Sequence, residues 1–144
     1  MIHSLAIGLR IMVAVAVCFA TFVPTEVRAE LPPGSYEKLR AEAQEAITGK
    51  VLSVETKELE PGRTEVVAEI KVTGVERSKV GLKKGDVVTV KYVHIDPAKL
   101  PGFAGPRPIP ILKNGKIYPA FLNKVEGEAS YEPAAYGASF TEKP

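Results

Sequence analysis

From Lys50 to Val75, and again over Val87–Ile95 after the polar connection Glu76–Asp86, the chain follows a period of two, which commits these segments to sheet. Thr64–Val75 is the cleanest stretch. Val66, Ala68, Ile70 and Val72 share one face, while Glu65, Glu69, Lys71 and Thr73 share the other, with Val67 the exception. Val51–Leu59 reads as a strand with a polar far half. Glu60-Pro61-Gly62-Arg63 lies between the two, with Pro presetting one dihedral and Gly freeing another. The expectation is a long hairpin with one dry and one wet face. Val87–Ile95 is a third strand. It carries apolar residues on both faces, so a more central position is expected for it.

The flanks of this block use different rules. Ser35 is a candidate helix cap, and Glu37 suits the positive end of a helix. Tyr36, Leu39, Ala43, Ala46 and Ile47 recur at helical spacing, which predicts a helix through about Ala46, ended or bent by Gly49. Asp96–Pro110 holds Pro97, Pro101, Pro106, Pro108 and Pro110 with Gly102 and Gly105, and this excludes regular helix or central strand. Asn114-Gly115 predicts a hairpin between Ile111–Leu112 and Lys116–Leu122. A turn follows near Glu126-Gly127-Glu128. The aromatic tail Tyr131–Phe140 is expected to wrap the domain.

One helix, about five strands and a proline-rich excursion predict a mainly β protein. The expected form is a small five-stranded OB-like Greek-key barrel with one N-terminal helix, with a β-sandwich as the alternative. Ile47-Thr48-Gly49-Lys50-Val51, Val66–Val72 and Gly85-Asp86-Val87-Val88-Thr89-Val90 together resemble the opening strands of TIMP/netrin-like OB domains. The resemblance covers under half of residues 30–144 and implies the barrel. In that family the domains are rich in disulfides, and the inhibitors place an N-terminal Cys on a protease zinc. Residues 30–144 contain no Cys, so the resemblance carries the fold and not the inhibition.

Residues 1–29 read as a cleaved secretory signal. Arg10 precedes the apolar run Ile11–Val23, and Val27-Arg28-Ala29 forms a cleavage site before Glu30. The run is shorter than the roughly 20 residues that a spanning helix needs. Bulky Val17 before Cys18 argues against a lipoprotein cysteine. The leader takes with it Cys18, Met1, Met12 and His3. What remains, residues 30–144, is a single domain expected in the periplasm or outside the cell. Its stability rests on packing and backbone pairing without a disulfide.

Losing Arg10 and Arg28 against Glu26 takes the net charge from +2 to about +1. No global field steers nucleic acid to such a chain. Arg77, Lys79, Lys83 and Lys84 crowd one connection and read as solvated turn charges. Glu55, Glu58, Glu60, Glu65 and Glu69 fit exposed strand faces better than a calcium cage. No nucleophile elbow, phosphate-binding glycine loop or haem pattern is present, so no enzyme and no cofactor are expected. His94 and Asp96 share a strand face with Tyr92 and are the candidate metal or acid–base pair. Zinc, however, takes three or four protein ligands.

The expected function is that of an exported, non-enzymatic binding module. Its partner is a protein or an envelope component, not nucleic acid. The contact is placed on the proline-rich segment 96–110, with Phe103 and Arg107 as anchors and Tyr92 and Tyr118 nearby. A periplasmic small-ligand or metal-binding protein centred on His94 and Asp96 is the alternative, and a protease or hydrolase inhibitor is a further one. Oligomeric state is not legible in the sequence.

Overall fold

The computed structural model describes residues 31–141, so the expected leader lies outside the described residues. The elements are helix α1 (Ser35–Glu42) and strands β1 (Glu45–Glu60), β2 (Arg63–Ser78), β3 (Val87–Ile95), β4 (Ile117–Lys124) and β5 (Tyr131–Pro133). Single 3-10 turns follow at Pro97–Lys99 and Tyr136–Ser139. The strands close in the order β1-β2-β3-β5-β4 and back onto β1. All pairings are antiparallel except β3 with β5. This is a small OB-like barrel, and closure rules out the sandwich.

The period-two pattern is what fills the barrel. Val66, Ala68, Ile70 and Val72 of β2 are at most 1% exposed, and Val88, Val90 and Tyr92 of β3 point the same way. Val51, Ala120, Leu122, Tyr131 and Phe140 complete the core. Burying each of the larger aliphatic chains contributes about 1.5–3 kcal/mol. β3 lies between β2 and β5, but the apolar residues of its outer face are open. Val87 and Val93 are 53% and 40% exposed.

The helix expectation is corrected at its C-terminal half. α1 ends at Glu42, and Ala46, Ile47 and Gly49 belong to β1. Two long-range interactions override the local spacing. Arg77 donates from Nε and Nη2 to the Ala43 carbonyl (3.0 and 2.8 Å) and from Nη2 to the Arg40 carbonyl (2.8 Å), satisfying the helix end. Glu45 is fully buried at the start of β1. Its Oε1 accepts the Lys79 and Val80 amides (3.1 and 3.2 Å), and its other oxygen accepts the Ser78 hydroxyl. The basic connection after β2 is therefore folded around a carboxylate. Ser35 is also not the cap: Gly34 holds that place at φ 82° with no side-chain hydrogen bond.

Gly49 does not end a helix; it permits a strand contact. A Cβ there would lie 2.2 Å from Ile70 Cγ2 and 3.2 Å from the Lys71 carbonyl oxygen. The register shifts between Thr48 and Gly49, where the sheet bends. The expected hairpin around Asn114-Gly115 is also corrected, because Ile111–Leu112 is not a strand. Instead the Gly115 amide donates to the Val51 carbonyl (2.8 Å) and the Val51 amide to the Lys116 carbonyl (2.9 Å).

Gly49→Ala is expected to lower stability by roughly 1–3 kcal/mol, since Ile70 and the backbone must shift. Urea denaturation checks this through the midpoint at unchanged slope. A loss below about 0.5 kcal/mol contradicts the contact, because that is the range of a neutral surface change.

Candidate functional site

Between β3 and β4 the chain cannot form a ladder, because five of its residues are prolines without an amide hydrogen. Its carbonyls still need donors. Tyr92 and His94, two apart on β3, provide them. The Tyr92 hydroxyl donates to the Pro110 carbonyl (2.7 Å) and accepts the Leu112 amide (3.2 Å). His94 Nδ1–H donates to the Ile109 carbonyl (2.7 Å). Asp96 turns away from His94: its Oδ1 accepts the Ala98 amide (3.1 Å) and caps the short turn Pro97–Lys99. Among the described residues no group of three or more His, Cys, Asp or Glu is placed to hold a metal ion.

The rest of the segment is tied to both termini of the described chain. The Tyr36 hydroxyl of α1 accepts the Arg107 amide (2.8 Å), and the Arg107 guanidinium lies 4.9 Å from the Tyr36 ring centre. The Arg107 carbonyl accepts the Gly137 amide (2.9 Å). Gly137 has no room for a side chain, since a Cβ would meet the Pro108 carbonyl at 2.5 Å. At the other end, Asp96 donates its amide to Gly62 in the β1–β2 turn (2.9 Å), and Leu100 packs over the same glycine.

This lacing leaves an apolar cleft of about 340 Å³ on the outer face of β3. Val93 and Ile95 form its floor, and Phe103, Pro106, Pro108 and Ile109 one side. Tyr136 and Arg107 also line it. The Phe103 ring lies over Gly105, where a Cβ would be 2.5 Å from Cζ. Tyr136 is 44% exposed and is the one non-glycine residue with positive φ (47°) among the described residues. That backbone costs on the order of 1 kcal/mol or more, a cost often held at functional sites.

Of the four contact residues expected from sequence, the structure brings Phe103 and Arg107 together. Tyr92 lies inside the barrel at 7% exposure, with its hydroxyl engaged by backbone. Tyr118 lies on β4 in a separate depression with Thr48, Ile117 and Phe121, and its hydroxyl accepts the Lys113 amide (3.1 Å). Val93, Ile95 and Tyr136 were not legible as site residues. The apolar residues on both faces of Val87–Ile95 pointed only to a more central strand, and no sequence signal places a tyrosine at positive φ. No family model, curated protein or solved structure matches the chain. No helix of the described residues is long and apolar enough to cross a membrane.

Burial pushes the Tyr92 hydroxyl up from 10.0 to about 12. The fold therefore favours the neutral phenol. Its contribution is complete below about pH 10 and is lost as pH rises through about 12. Denaturant midpoints between pH 9 and 12 are expected to fall, as an order-of-magnitude window set by that shift. Tyr92→Phe should flatten the fall while costing about 1–3 kcal/mol at neutral pH, because the Leu112 amide loses its acceptor. A residual slope comes from Tyr131, which burial also raises. An unchanged slope in Tyr92→Phe contradicts the assignment.

Proposed function

We propose that this chain is an exported, non-enzymatic binding module. It captures a protein or envelope component in the cleft between the outer face of β3 and the proline-rich segment. The observation that carries this reading is Tyr136, an aromatic side chain presented to an apolar cleft from a strained backbone. A glycine at 136 would relieve that strain, so the tyrosine side chain has a use outside folding. The cleft suits an extended apolar segment. Phe103 and Tyr136 supply large contact area at low entropic cost, and the Arg107 guanidinium supplies a charged donor beside them.

The residues also favour binding over chemistry. The one imidazole of residues 30–144 spends Nδ1 on a structural carbonyl, and Asp96 caps a turn. A general base needs its partner within hydrogen-bond reach, and His94 and Asp96 are committed to different backbone groups. The proposed export is supported by the signal-like pattern of residues 1–29.

The test is photo-crosslinking in intact envelopes from position 93, with position 126 in the exposed turn between β4 and β5 as control. A discrete adduct is expected from position 93 only. Phe103→Ala with Arg107→Ala should abolish it. Tyr136→Gly should weaken it while leaving thermal stability unchanged or raised. Equal adducts from both positions, or an adduct unaffected by these variants, contradict the cleft as the binding surface.

A further inference from the structure

β1 is longer than the barrel needs. It has 16 residues, but β4 covers it only from Glu45 to Lys50, and Val51 is engaged by Gly115 and Lys116. From Leu52 to Glu60 its one neighbour among the described residues is β2. The other side presents a row of backbone donors and acceptors, and every residue from Glu55 to Glu60 is exposed. An exposed, regularly paired edge of this kind is a template for another strand. Bulges at Leu52 and Leu59 bound its regular part to Ser53–Glu58.

The charges on that edge select a partner. A second copy pairing antiparallel through a two-fold axis must centre on a residue, because both copies keep the same face of the sheet outward. An axis at Glu55 or Glu58 sets a glutamate against its own copy, and an axis at Lys57 does the same for lysine. An axis at Ser53 or Val54 runs the incoming strand onto Val51, which is already bonded. An axis at Thr56 places Glu55 opposite Lys57 of the other copy, twice. Neither Glu55 nor Lys57 is in an ion pair among the described residues. Their own-chain neighbours across the ladder are Val67 and Glu65, so Lys57 would lie between two carboxylates.

We propose that the chain dimerises through this edge, β1 against β1 about Thr56, making one continuous six-stranded sheet from two barrels. This goes beyond the binding reading and does not rest on it. The cleft lies on β3, across β2 from the edge, and stays open in the dimer. Few residues are joined, so the association is concentration-dependent and weak against a standard interface.

The test is sedimentation of the full chain over a concentration series, read against its mass of 15.5 kDa. The wild type is expected to shift from one to two chain masses. Glu55→Lys sets lysines against lysines, and Lys57→Glu sets glutamates against glutamates. Each should weaken self-association about tenfold. The double variant E55K/K57E restores both pairs and should recover it. Mixing the two single variants should give a heterodimer, since each supplies the charge the other lacks. Matched thermal melts show that these exposed positions leave the fold intact. A wild type monomeric throughout overturns the proposal. So does association indifferent to the single changes, or not recovered by the double variant and the mixture.

Discussion

Carbonyl groups on a proline-rich segment create a demand that the segment cannot meet itself. Between β3 and β4 the chain runs without a ladder, yet Ile109 and Pro110 lie against the barrel where their carbonyls need donors. His94 and Tyr92 meet that demand from one face of one strand. This fixes where Leu112 enters the core, and through Leu112 how the chain reaches β4. It also fixes the wall of the cleft, because Phe103 and Arg107 hang from the same segment. Asp96, two residues after His94, has a different task and caps the turn Pro97–Lys99.

The same economy appears at the other end of the barrel, where single side chains gather several backbone groups. Arg40 donates to the Ala138 carbonyl (2.8 Å) and to both the carbonyl and hydroxyl of Thr141 (2.9 and 2.7 Å), with its guanidinium 5.2 Å from the Phe121 ring centre. Glu45 organises the turn after β2 in the same way. With no disulfide in the domain, these buried charged groups fasten α1, the tail and the β2–β3 connection to the sheet. Breaking such a group typically leaves its partners buried and unpaired, which costs more than the bond contributes. The tail in turn brings Gly137 against Arg107 and so sets Tyr136 at the cleft.

What could be read along the chain was whatever depends on neighbours in sequence. The alternation Val66, Ala68, Ile70, Val72 predicts the dry face of β2, and Pro61-Gly62 its turn. The barrel followed from strand number and from the proline-rich break. The start of the first strand was hidden because Ala46 and Ile47 satisfy a helical period as well as a strand. Arg77 and Glu45, acting across more than thirty residues, decide between them. The Asn114-Gly115 turn exists, but its incoming strand does not, since the Leu112 amide is spent on Tyr92. Phe103 and Arg107 could be picked out as candidates because they interrupt prolines, and both line the cleft. Tyr136 could not be, because its significance lies in a backbone angle.

On the proposed function, the proline-rich segment is a built wall already held in the free protein. Amide hydrogen exchange of the free protein measures this directly at Arg107, Leu112 and Gly137, whose N–H groups make the fastening bonds. The account predicts that all three exchange far more slowly than free peptide, with Leu112 and Gly137 close to the barrel strands. Exchange of Arg107 and Gly137 at free-peptide rates, while the strands stay protected, would contradict it.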